Sequence, residues 1–189
     1  MGLWDVIRGQ QRPKGPNLDN LVAVPGAAIT LQTALEVLPT GVGSVCFRAA
    51  EGAASASAQD VAEALVEGTG QPDVERSVDS FGFTWFVVRG SADDVSGLVT
   101  DLHAVNTELE LQGFAPGLLC SLVGFAGSGG RRLGLVYLYK RGTFYPFAPN
   151  GPQSRDTLFE RQVRDLLGSD LRIEPDLSRW MPLWGAPGL

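Results

Sequence analysis

The chain holds one histidine and two cysteines in 189 residues. Cys46, Cys120 and His103 cannot compose a structural zinc site without carboxylates, and no CxxC or HExxH spacing is present. Two cysteines also make no disulfide framework, which fits a reduced cytoplasm. A Gly-x-Ser-x-Gly nucleophile elbow is missing. The Gly-rich stretch GFAGSGGRR at 124–132 lacks the lysine of a P-loop, and Arg132 stands where a dinucleotide fingerprint needs its third glycine. No apolar run reaches the ~18 residues that span a bilayer. Asp5 and Arg8 interrupt the first turns, where a signal peptide would begin its apolar region. An excess of positive charge is missing too: the formal net charge is −6, which argues against nucleic acid as the main partner. No cofactor is expected.

What is present suits a folded core. Hydrophobic residues make up 44% and charged residues 19%, whereas a disordered chain would be richer in charge and poorer in apolar side chains. Acidic side chains crowd residues 51–110, where Arg76 and Arg89 are the only bases. Basic ones crowd 111–164, where Asp156 and Glu160 are the only acids. Such opposed segments are ordinary solvated surface or a face that steers a charged partner.

Residues 1–9, MGLWDVIRG, place Leu3, Trp4 and Ile7 on one side of a short helix, and QQRPKGPN at 10–17 has a linker's composition. The globular part is expected over 18–170. Its elements begin with a helix capped by Thr30 that runs to Leu38 and stops at Pro39, then a strand from Val42 to Ala50. A helix opened by Ser57-x-x-Asp60 follows, closed by Gly68. Strands are expected at 74–78 and 81–88 around an Asp79-Ser80 turn, with the second placed centrally because FGFTWFVV is apolar on both faces. The helix over 93–112 carries Val95, Leu98, Val99, Leu102, Val105 and Leu109 in a stripe. Ser91 is its expected cap, and Gly97 is expected to permit close packing on the sheet. Strands at 118–125 and 133–139 flank a Gly-rich hairpin loop, and an edge strand at 143–147 contains Pro146. Ser154 is expected to open a last helix with Phe159, Val163, Leu166 and Leu167 facing inward.

This order predicts an α+β fold: one mostly antiparallel sheet of five or six strands with packed helices. Residues 171–189 should run extended. Trp180, Met181, Leu183 and Trp184 put four large apolar side chains in five positions that Pro182 keeps from a regular helix. They must dock on this chain's own sheet, as a strap, or in a partner's groove. Leu3, Trp4 and Ile7 face a similar choice between their own domain, a partner and lipid, with Arg8, Arg12 and Lys14 behind them to suit an anionic leaflet.

Catalysis finds little footing. His103 adjoins the apolar stripe, and a thiol dyad with Cys120 is the only nucleophile arrangement on offer. Buried cysteines ordinarily behave as small hydrophobes.

Several strings together resemble one family: MGLWDVI at the start, GLVTDLHAVN at 97–106, LLCSLVGF at 118–125, LVYLYKRGTFYPFAP at 135–149, IEP at 173–175 and WGAPGL at the end. The chain resembles the PspA-associated protein PspAB family of bacteria over nearly its whole length. The stretch from 74 onward also resembles the YbjN-like, secretion-chaperone-like α+β fold. The first resemblance implies an accessory role in cell-envelope stress beside PspA, the phage-shock membrane-remodelling coiled coil. It implies PspAA or an HtpX-like membrane peptidase as further partners, and a cytoplasmic protein that is at most peripheral at the inner membrane face. It carries over no catalytic residue. The expected function is therefore a non-catalytic adaptor. The alternatives are a chaperone-like binder of helices or exported segments, and a small enzyme using Cys120 or His103.

Overall fold

A computed structural model describes residues 18–48 and 74–189. The expected segment with Leu3, Trp4 and Ile7, and the expected helix at 57–68, lie outside the described residues. Among the described residues, three helices pack on one six-stranded antiparallel sheet, so the fold is α+β.

Helix α1 is Val24–Leu35. Pro25 fits its first turn, where no backbone donor is needed. Val24, Ala27, Ala28 and Leu31 recur on one buried face. Glu36 ends it in the left-handed region, at φ 54°, and its N–H donates to the Gln32 carbonyl. The helix therefore begins and ends earlier than its apolar pattern suggested. Thr30 does not cap it but lies within it, donating to the Asp170 carboxylate at 2.7 Å. Pro39 does not stop a helix either. It lies inside strand β1, Leu38–Phe47, beside a register shift where its missing donor is tolerated.

Strands β2 (Val74–Val78) and β3 (Thr84–Arg89) form the expected hairpin. Asp79 ties it: one carboxylate oxygen accepts from the Phe81 and Phe83 N–H groups, and the other accepts from the Trp85 indole at 2.8 Å. Strands β4 (Leu118–Ala126), β5 (Arg132–Leu138) and β6 (Thr143–Phe147) continue the sheet in the order β2-β3-β1-β4-β5-β6. The centre is thus β1 and β4, and β3 lies next to the edge strand rather than in the middle. Gly43 interrupts the apolar run of β1, and both faces press closely on the two central strands. A Cβ at Gly43 would meet Leu102 at 2.8 Å, and one at Gly124 would collide with the Gly188 carbonyl.

Helix α2, Val95–Leu111, buries Leu98, Val99, Leu102, Val105 and Leu109 of the expected stripe, while Val95 at its start is half-buried. Its cap is Asp94 and not Ser91, because the Asp94 carboxylate accepts the Gly97 N–H at 2.8 Å. The bare Gly97 serves this cap rather than the sheet: a Cβ there would run into the Asp94 carboxylate. A short hairpin of β7 (Pro149–Gly151) and β8 (Ser154–Arg155) precedes helix α3, Thr157–Leu167. Asp156 caps α3, accepting from Phe159 N–H at 3.0 Å, so Ser154 falls in β8 instead. Phe159, Val163 and Leu167 are buried, while Leu166 is half-buried.

Alternation along the strands divides the core. Val45, Phe47, Phe86, Val123 and Leu135 face the helices. Cys46, Trp85, Cys120, Leu122, Val136 and Tyr145 face the opposite side.

Candidate functional site

The face without helices is apolar and takes residues 173–189 as its cover, Leu171 still packing on the helix side. The segment arrives along the open edge of β6, where the Phe144 N–H donates to the Arg172 carbonyl and the Glu174 N–H donates to the Phe144 carbonyl. Two residues on, Pro146 has no N–H to extend this pairing, so the edge ladder stops and the segment turns over the face.

Glu174 is the pivot of that turn. Its side chain is fully buried. One carboxylate oxygen accepts from Arg141 Nε at 2.6 Å and Thr143 Oγ1 at 2.7 Å, and the other accepts from the Asp176 N–H at 3.1 Å. Burial pushes its pKa up, but the Thr143, Arg141 and Asp176 donors outweigh this and hold it below its ordinary 4.5. Its backbone carbonyl accepts the Trp180 indole N–H at 3.0 Å.

Trp180 then stacks on Tyr145, with ring centroids 5.9 Å apart. The Tyr145 hydroxyl donates to the Met181 carbonyl at 2.9 Å, and Arg155 Nη1 donates to the Trp180 carbonyl at 2.8 Å. Arg155 is itself positioned by both Glu160 oxygens and by the Phe147 ring beneath its guanidinium. Trp184 meets the same Phe147 edge-on at 5.0 Å. Farther on, Ser44 Oγ donates to the Pro187 carbonyl at 3.0 Å, and Gly188 lies against Gly124.

The four apolar side chains singled out in this segment are therefore not equivalent. Trp180 is buried, Leu183 and Trp184 are half-buried against the sheet, and Met181 is 59% exposed. Met181 forms one wall of a cleft of about 480 Å³, whose apolar lining includes Leu118, Leu119 and Leu138. Lys140, Arg141 and Arg179 also line it. Arg141 and Arg179 pair with Glu174 and Asp176, while the Lys140 ammonium donates to the Pro116 carbonyl. A second groove, of about 360 Å³, lies between α1 and the start of α2 and is lined by Pro25, Ile29, Leu38 and Val95.

The Cys120–His103 dyad is not assembled. Asn106 of α2 donates to Ser121 Oγ at 2.9 Å, which fixes Ser121 on the helix side. Cys120 precedes it in the strand and so points to the opposite face. The His103 ring lies on α2 near Thr107 Oγ1, at 3.3 Å. Among the described residues, no group of three or more metal-ligating side chains gathers, and no helix is long and apolar enough to cross a membrane.

Sequence reasoning missed Glu174, Arg155 and Tyr145 as the groups that hold the segment. The one available signal was Glu174 itself, a carboxylate set directly between Ile173 and Pro175.

A family model described as PspAB, PspA associated protein B, matches residues 1–188. No curated protein and no solved structure matches the chain.

Proposed function

The chain belongs to the PspA associated protein B family, and we propose that it is a non-catalytic adaptor that binds PspA during the bacterial cell-envelope stress response, at the inner face of the membrane. The Met181 cleft carries this reading. A 59% exposed methionine is held out from a segment whose neighbouring tryptophan is buried, and cationic side chains surround an apolar floor. Methionine adapts its shape to an incoming side chain. A floor and rim of this kind fit one apolar anchor on an acidic, amphipathic helix, with the charges setting orientation and encounter rate. PspA is the occupant to which we commit. PspAA and an HtpX-like peptidase would then join through PspA.

The test is recovery of PspA from native membranes on the tagged full-length chain. Met181→Asp combined with Lys140→Glu should lower recovery at least about tenfold with an unchanged melting curve. Unchanged recovery from a folded double variant would sink the cleft as the contact. If Ile29→Asp removes recovery instead, the partner sits in the groove beside α1, and the chaperone-like reading replaces the adaptor one.

A further inference from the structure

The chain's only two cysteines are direct partners in the sheet. Cys46 in β1 is in register with Cys120 in β4, at the centre of the sheet. Both side chains point to the strap-covered face and both thiols are free and buried. Directly opposed residues of an antiparallel pair stand about 4.5–5.5 Å apart at Cα, inside the range of about 4.4–6.8 Å that a disulfide needs. The ladder slips immediately beside the pair: Phe47 is in register with Leu118, so Leu119 is an extra residue. A bulge of this kind gives a strand local freedom to twist and draw the two sulfurs together.

The cover over the pair is the strap. Trp180 and Ala186 belong to the same buried cluster as the two thiols, and Tyr145, on which Trp180 stacks, lies close enough to interact with both. The neighbouring Cys120, and then burial, push the Cys46 thiol far above its ordinary range, so Cys46 is unreactive while it is covered.

We propose that Cys46 and Cys120 are a reversible modification site, a dithiol that a low-molecular-weight disulfide oxidises to a cross-strand disulfide when residues 174–189 lift from the sheet. The chemistry balances as two exchanges. With the strap lifted, water reaches the pair, and one cysteine loses its proton and attacks a sulfur of the small disulfide. That breaks the reagent's S–S bond, forms a mixed disulfide and releases one small thiol, which takes up the proton. The second cysteine, deprotonated in turn, attacks the protein sulfur of the mixed disulfide. The Cys46–Cys120 bond forms and the second small thiol leaves with the second proton. Two electrons pass from the protein to the reagent.

The experiment incubates the native full-length chain with glutathione disulfide, quenches in acid, unfolds, alkylates and measures intact mass over time. Ring closure appears as a loss of about 2 Da with no alkylation. Glu174→Gln, which loosens the strap at its pivot, should close at least about tenfold faster than the unaltered chain. Trp184→Ala should accelerate it too, and serves if Glu174→Gln does not fold. Cys46→Ser and Cys120→Ser should each stop at a single attached glutathione. Folded strap variants that stay fully reduced, or that collect two glutathiones without ring closure, would overturn the site. Equal closure rates with and without the strap substitutions would overturn the gate.

Discussion

The two faces of the sheet are covered in opposite ways. On one, α1, α2 and α3 lay apolar stripes over Val45, Phe47, Phe86 and Val123, and many side chains share each contact. On the other, a segment whose only helix is the single 3-10 turn Leu177–Arg179 covers Cys46, Cys120, Val136 and Tyr145 through singular contacts. They include one buried carboxylate, one stacked indole, one edge-on indole and one glycine seated on another. Helical cover is redundant, because losing one contact leaves its neighbours on the same stripe. Strap cover is a row of single anchors along one chain, at Glu174, Arg155, Tyr145 and Ser44, so losing one frees the stretch it holds. The first face should therefore fail only with the whole domain, while the second can open locally at a fraction of the global free energy.

The sharpest way to test that difference begins on the helical face. Leu102→Asp places an unpaired charge where Leu102 is fully buried against Gly43. It should remove at least about 4 kcal/mol and leave no cooperative transition near the original melting temperature. A normal melting curve would contradict the packing of α2 on the sheet.

Truncation after Leu177 should have the next largest effect, about 3 kcal/mol, since it removes Trp180, Leu183 and Trp184 from the opposite face. Here the expected outcome is a domain that still melts cooperatively, at lower temperature, and binds an apolar dye before it unfolds. Truncation that abolishes folding as completely as Leu102→Asp would erase the contrast between the faces.

The smallest effect is Glu174→Gln, about 2 kcal/mol at neutral pH. It also carries a pH signature. The folded-state pKa of Glu174 is depressed, so its contribution is fully present above the ordinary 4.5 and drains away as pH falls through the lowered value. Dye binding by the unaltered chain should therefore rise in acid below about pH 4.5 before global unfolding. Asp176 titrates in the same direction, held low by Ser178 and Arg179, so a residual acid response in Glu174→Gln belongs to it. An identical acid response in the two proteins would show that Glu174 is not the pivot.

Much of the fold was legible in particular residues. The stripe of α2 needs only a period of 3.6, and Leu98 to Leu109 supply it without interruption. The hairpin of β2 and β3 needs only a local turn, and Asp79 makes three hydrogen bonds within six residues of itself. Errors came where a local signal had more than one structural use. Ser91 and Asp94 are both good caps, and the choice fell to the residue whose carboxylate has the bare Gly97 above it. Pro39 reads as a helix stop, yet it is equally a residue for an irregular strand. The site was less legible than the fold. Four apolar residues in 180–184 announced a docking segment, but nothing in their order says that Met181 stays exposed while Trp180 is buried.

By itself the sequence determined the α+β class, the helical stripes, the strand alternation and the need of residues 180–184 for an apolar surface. These follow from periodicity and side-chain chemistry, which act over a few residues at a time. Only the tertiary structure decided that β1 and β4 share the centre, that Cys46 meets Cys120, and that Glu174 anchors the strap against Arg141 and Thr143. Those pairings join residues 31 to 88 positions apart. They are selected by how closely two faces of one sheet can be approached, which is a property of the assembled strands and of no single stretch of chain.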